Sequence, residues 1–180
     1  MLVLSSESNE LAVTWDDIKK NTTNDIKILI NFTYNLLLQF YYTNDLMASS
    51  KLNLNNPPKF LSILGSKEVQ FDESNKFITM TFDIGDELTH SDGKIVQGGF
   101  ITAMLDTTMA HLLIFVKKGE FNPLTLSINV AFVASGSPGI FTAKAKIEKL
   151  GNSIVFTSGS LFQEDKLIAT ATSTNKLIKF

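Results

Sequence analysis

Val96–Phe115, VQGGFITAMLDTTMAHLLIF, is the stretch on which the reading of this chain turns. Two adjacent glycines, Gly98 and Gly99, open an apolar run with helical spacing, and Asp106 interrupts it two turns in. Glycine weakens a helix and a buried carboxylate weakens a core. Ala103, Met104, Leu105, Met109, Leu112 and Leu113 predict a helix buried on most sides. An aspartate among them must be hydrogen-bonded, paired or functional. One reading has it bonded to Thr107, Thr108 or a hydroxyl on a neighbouring strand. The other makes it a base or a nucleophile.

Outward from this helix the pattern changes to alternation. Upstream, KFITMTFDIG (Lys76 to Gly85) reads as a strand, preceded by a shorter one near Ser62 to Phe71, and DELTHSDGKIV reads as a loop. Downstream, LTLSINVAF, GIFTAKAKIEKL, SIVFTSGSLFQ and LIATATSTNKLI are four strand-like runs separated by ASGSPG, GN and EDK. In LTLSINVAF strict alternation predicts Leu124, Leu126, Ile128, Val130 and Phe132 on one face and Thr125, Ser127 and Asn129 on the other. Short gaps imply antiparallel hairpins. The expected fold is α+β, an antiparallel sheet wrapped around one apolar helix.

Residues 1–58 differ in character and read as a helical extension and linker ahead of a domain at 59–180. In Asp25 to Met47, Lys27, Asn31, Asn35, Gln39 and Thr43 recur every fourth residue, a polar stripe that argues for a packed helix and against a membrane span. NLNNPPKF then reads as the linker, with Pro57 and Pro58 barring helix continuation. The N-terminus is acidic and carries no clear targeting pattern, so an intracellular setting, cytoplasmic or mitochondrial, is expected.

A net charge of -2 provides no basic field for nucleic acid. All sixteen basic residues are lysine, so an anionic ligand must be held by point charges and backbone N–H groups. With no cysteine and only two, widely separated histidines, thiol chemistry and a His-rich metal site are excluded. His111 reads as a packed histidine with one hydrogen bond, since it lies about 140° around the helix from Asp106. His90, in the loop before the helix, reads first as a solvent-facing histidine, with approach to the site as the alternative. Lys117 and Lys118 suit the helix C-terminus. Lys144, Lys146 and Lys149 alternate as a solvated face.

A helix N-terminus offers unpaired N–H groups and a partial positive charge, and glycines there let a ligand atom reach the backbone. An oxygen gaining negative charge is stabilised at such a point. Gln97 to Asp106 spans about 13 Å of helix, too far for one acyl group to touch both ends. Two such helices lying antiparallel across a dimer axis would bring the Gly-Gly end of one to the Asp106 of the other.

At these residues the chain resembles the hotdog-fold acyl-CoA thioesterases of the phenylacetyl-CoA and 4-hydroxybenzoyl-CoA thioesterase group. The resemblance covers about Leu61 to Phe180. The His-Gly-Gly of that family, followed by an acidic residue in the helix, has its counterpart in Gln97-Gly98-Gly99 and Asp106. The ending LGNSIVFTSGSLFQEDKLIATATSTNKLI is similar to the family's last two strands. The resemblance implies a hotdog fold and hydrolysis of an acyl-CoA, with no cofactor, in a homodimer or dimer of dimers. It gives Asp106 the role of general base or nucleophile and the Gly98 N–H that of oxyanion donor. It implies Thr125 as the hydroxyl supporting the carboxylate; where some members place an asparagine upstream, the loop here offers Ser91 and Asp92, and Gly99, Ser91 and His90 are the candidate substrate contacts. Gln97 departs from the usual histidine: its amide still donates to a carbonyl but carries no proton-transfer role near neutrality. Two other readings stay open: an acyl-CoA-binding hotdog protein without turnover, and a hotdog dehydratase or hydratase, which would want a histidine where Gln97 stands.

Overall fold

The computed structural model describes residues 58–179; the extension read at 1–58, and with it the helix at Asp25 to Met47, lies outside the described residues but for residue 58. A short helix α1 (Lys59–Ile63) leads into strands β1 (Ser66–Asp72) and β2 (Phe77–Ile84). A single turn of 3-10 helix (Asp86–Leu88) and two short strands, β3 (Thr89–His90) and β4 (Ile95–Val96), precede the long helix α2 (Gly98–Val116). Strands β5 (Phe121–Phe132), β6 (Gly139–Leu150), β7 (Ile154–Gln163) and β8 (Lys166–Lys179) follow. The stretch 86–96, expected as a loop, is therefore a small hairpin. Its turn is made possible by Ser91, Asp92 and Gly93, all with positive φ, a conformation these short residues tolerate best.

The six long strands form one antiparallel sheet in the order β1-β2-β6-β7-β8-β5. It curls around α2, which lies against β2, β5, β6, β7 and β8. The helix presents Met104, Leu105, Met109, Leu112 and Leu113, none with measurable exposure, to an inner face that includes Met80, Phe82, Phe141, Leu161 and Ile168. Each such side chain contributes about 1.5–3 kcal/mol by leaving water. Small residues set how close the helix lies: a Cβ on Gly159 would be 3.4 Å from Leu105 and 3.2 Å from the Lys144 carbonyl. By length and composition α2 would also pass for a membrane span, but here it is the core helix of the sheet.

Strand β5 departs from strict alternation. Its pairing with β8 runs Thr125↔Asn175 and then Ser127↔Thr174, so one extra residue is inserted between Thr125 and Ser127. The bulge reverses which face each later residue takes. Before it, Phe121, Pro123 and Thr125 turn toward the helix and Leu124 is 51% exposed. After it, Ile128 and Val130 pack into the core while Leu126, 54% exposed, stays outside with Leu124. The five apolar residues of this strand do not share one face. Without the slip, Thr125 and Ile128 could not both face α2.

Candidate functional site

The start of α2 is built by Gln97 as its N-cap. The Gln97 backbone is extended, φ -67° and ψ 136°, and its side-chain Oε1 accepts the Gly99 N–H at 2.6 Å. The Gln97 carbonyl takes the N–H groups of Phe100 and Ile101. Only the Gly98 N–H of this first turn has no acceptor among the described residues. Because Oε1 is used in the cap, Nε2 remains available as a donor beside it. Both glycines are explained by space. A Cβ on Gly99 would lie 2.7 Å from the capping Oε1, and one on Gly98 would lie 3.3 Å from the ring of Phe132. That ring, 56% exposed at the end of β5, borders the free N–H. The Gln97 N–H bonds the Leu88 carbonyl at 3.0 Å, which ties the helix start to the 3-10 turn.

Asp106 lies two turns along, half-buried on the side of α2 that faces β5. Eight residues at 1.5 Å put it about 12 Å from Gly98 along the axis. Thr125 Oγ1 donates to Asp106 Oδ1 at 2.8 Å, whereas Oδ2 has no hydrogen bond among the described residues. Thr107 and Thr108 do not serve the carboxylate. The Thr107 carbonyl takes a bond from His111 Nδ1 at 2.8 Å, and Thr108 Oγ1 bonds the Met104 carbonyl. Behind Thr125 the polar contacts continue into the core. Asn175 Oδ1 lies 3.1 Å from Thr125 Oγ1, Asn175 Nδ2 lies 2.7 Å from Ser173 Oγ, and Ser173 Oγ lies 2.7 Å from Thr157 Oγ1. Asn175 has no measurable exposure.

The structure brings Asp106 and Thr125 together and, separately, Gln97, Gly98 and Gly99. Among the described residues neither group is hydrogen-bonded to the side chains of His90 and Ser91 in the β3–β4 hairpin, which bond each other at 2.8 Å. His111 is a packed histidine, held below its ordinary pKa by burial, with the Thr107 bond opposing that shift. Lys117 caps the end of α2 and sets its ammonium over the Phe121 ring. Lys144 and Lys146 lie on the sheet face away from α2, where Lys146 pairs with Glu148 at 3.0 Å and Lys144 covers the Phe162 ring. They line a groove of about 400 Å³ with Ser158, Ser160 and Thr172; Gln97, Gly98, Asp106 and Thr125 do not. Sequence reasoning missed Asn175 and Phe132. The first stands in a Thr/Ser-rich strand whose register alone puts it beside Thr125, and the second is one of fourteen phenylalanines.

A sequence model of the thioesterase superfamily matches residues 93–170, the stretch that holds α2 and most of β5–β8. No curated protein sequence matches the chain. Among solved structures, a phenylacetic acid degradation-related protein from Ralstonia eutropha JMP134 superposes with a TM-score of 0.65 at 26% identity, covering 77% of this chain and 99% of its own. The E. coli PaaI protein from the phenylacetic acid degradation operon has a TM-score of 0.62 at 17% identity, over 70% of this chain and 88% of its own. A thioesterase from Haemophilus influenzae has a TM-score of 0.60 at 21% identity, over 67% and 82%. The last two show likeness of fold alone.

Proposed function

From the premise that this chain is a hotdog-fold member of the thioesterase superfamily, we infer that it hydrolyses an acyl-CoA thioester to the free acid and CoA. The observation that carries this reading is the state of Asp106. Its Oδ1 is held by Thr125 and its Oδ2 has no partner among the described residues, on a helix otherwise turned to the core. A carboxylate fixed by one oxygen and open at the other is arranged to act on a water or a carbonyl carbon.

In the general-base route Oδ2 takes a proton from water, and the water oxygen bonds to the thioester carbonyl carbon. The carbonyl oxygen becomes an oxyanion and is stabilised by the Gly98 N–H, the helix dipole and the Gln97 Nε2 donor. The tetrahedral intermediate collapses, the C–S bond breaks, and the CoA thiolate takes the proton back from Asp106. In the nucleophilic route Oδ2 itself bonds the carbonyl carbon and expels the thiolate, and water then hydrolyses the resulting anhydride. Single-turnover hydrolysis in labelled water tests the second route, since label enters Asp106 only when water opens an anhydride at the aspartyl carbon.

Because Gly98 and Asp106 are about 12 Å apart on one helix, the site is composite, with Gly98 and Gln97 from one chain and Asp106 and Thr125 from a second copy. Two features support a dimer. Strand β5 is one of the sheet's two outer strands, paired only with β8 among the described residues, and its exposed face carries Leu124 and Leu126. An intracellular setting and a dimer or dimer of dimers complete the proposal.

The test is release of free thiol from a panel of aliphatic and aryl acyl-CoAs, with Asp106→Asn as the control. Thr125 can still donate to the amide oxygen of this variant, so the fold should persist. Loss of the base should cost about 10²–10⁴-fold in kcat. Near-parental turnover in the folded variant refutes the role of Asp106. Acyl-CoA binding with no thiol release from the parent would make the chain a binding protein.

A further inference from the structure

The proposed chemistry makes no use of Asn175, yet among the described residues only this side chain and Thr108 are polar and without measurable exposure. On the inner face of β8 it follows Ile168, Ala171 and Ser173 and precedes Leu177. An apolar residue of similar size would fill the same space without the cost of desolvating an amide. Every side-chain bond that satisfies it is made with a hydroxyl: Oδ1 accepts from Thr125 at 3.1 Å, and Nδ2 donates to Ser173 at 2.7 Å and, more weakly, to Thr157 at 3.4 Å. The only one of these hydroxyls that touches a charged group is Thr125.

We propose that Asn175 is a positioning residue for Asp106 and acts through Thr125; this rests on the thioesterase reading of the site. Thr125 has one hydroxyl proton and two oxygens within range of it, Asp106 Oδ1 at 2.8 Å and Asn175 Oδ1 at 3.1 Å. It cannot donate well to both. An amide turned by half a rotation keeps its shape, and Nδ2 then donates to Thr125 Oγ1 while Oδ1 accepts from Ser173. Thr157 can donate to Ser173, 2.7 Å away. In that arrangement each hydroxyl donates once and the chain Thr157, Ser173, Asn175, Thr125 points toward the carboxylate. An ionised Asp106 favours it, because the bond it receives is charge-assisted and each donor polarises the next. Asn175 thus removes the alternative orientation of the Thr125 proton and holds Oδ1, so that Oδ2 faces the reacting group.

The test is a cycle of Asn175→Leu, Thr125→Val and the double variant, read as kcat and KM on the best acyl-CoA of the panel. Leucine keeps the volume, and Ser173 and Thr157 can still pair with each other. Asn175→Leu should lower kcat about 3- to 10-fold, the worth of one neutral hydrogen bond, with KM unchanged. In the Thr125→Val background it should lower kcat no further, because the link it acts through is gone. An equal loss in both backgrounds, or none in the parent, overturns the proposal. If Asn175→Leu does not fold, Ser173→Ala, which takes away the amide's other partner, replaces it in the same cycle with the same expected pattern. A second readout needs no turnover. In isotope-labelled protein, Asp106→Asn should move the side-chain amide signals of Asn175, and should leave them unmoved in the Thr125→Val background. Absence of turnover in the parent refutes the thioesterase reading, and the amide signals still decide the coupling; an equal movement in both backgrounds, or none, refutes it.

Discussion

Gly98→Pro and Asp106→Asn, each inactive alone, should restore activity when their chains pair. Position 98 is the first residue of α2, where proline's fixed φ suits a helix and its missing N–H breaks no internal bond. Gln97 already has the extended backbone, φ -67° and ψ 136°, that a residue before proline prefers. The substitution therefore deletes the N–H of the turn that has no acceptor among the described residues and spares the Gln97–Gly99 cap. Its Cβ would sit 3.3 Å from the Phe132 ring, which is more than half exposed and has room to turn, and its Cδ takes the place of the N–H hydrogen. Gly98→Ala adds the same Cβ and keeps the N–H, so it separates the effect of the Cβ from loss of the donor. Losing one oxyanion donor typically costs about 10²–10³-fold in kcat. Since Gly98 and Asp106 are about 12 Å apart on one helix, a shared site draws one from each chain. A mixed dimer then has one site with both lesions and one with neither. In the purified mixed dimer about half of the sites are therefore intact, by two-fold symmetry. The assay is thiol release from co-expressed, differently tagged chains after purification of the mixed species, with thermal melts to show that each parent variant folds. Mixed dimers that form and stay inactive refute the composite site.

Gln97→His should retain turnover, while Gln97→Ala should lose about 10²–10³-fold in kcat with the oxyanion donor and about 0.5–2 kcal/mol of stability with the helix cap; both are read from steady-state rates and thermal melts. Gln97→Glu keeps the cap oxygen but removes the donor and adds charge, so its melt should be near the parent's and its kcat at least as low as that of Gln97→Ala. Burial holds the His111 pKa below its ordinary value of 6.5, so the unfolded chain binds more protons than the native one just below that pH. Stability from this residue is therefore present above about pH 6.5 and falls as pH drops through it, until the folded pKa is passed. The midpoint of thermal unfolding should fall between about pH 7.5 and 5, and fall less in His111→Gln. Asp72, held at about 2 by Ser74 and Asn75, acts only in a lower window.

Much of this protein is legible without coordinates, because its signals are local. Helical spacing and the Gly-Gly start mark α2, alternation and turn residues mark the long strands in their right order, and the cost of a buried carboxylate singles out Asp106. The packing of His111 also follows from its angle around the helix. What escaped is decided by contacts distant in the chain. The bulge in β5 adds one residue with no signature of composition, and it sends Leu124 and Leu126 outward where alternation grouped them with Ile128 and Val130. The same slip turns Thr125 toward Asp106. Asn175, fifty residues from Thr125, joins the site only through the register of β5 on β8. Periodicity is a property of neighbours along the chain, whereas a hydrogen bond between strands depends on how the sheet aligns them. The sequence determined by itself that a carboxylate stands on a core helix, and its family resemblance pointed to Thr125 as the supporting hydroxyl; the tertiary structure decided through which register the two meet and which carboxylate oxygen is left open, because both depend on how the sheet aligns distant residues.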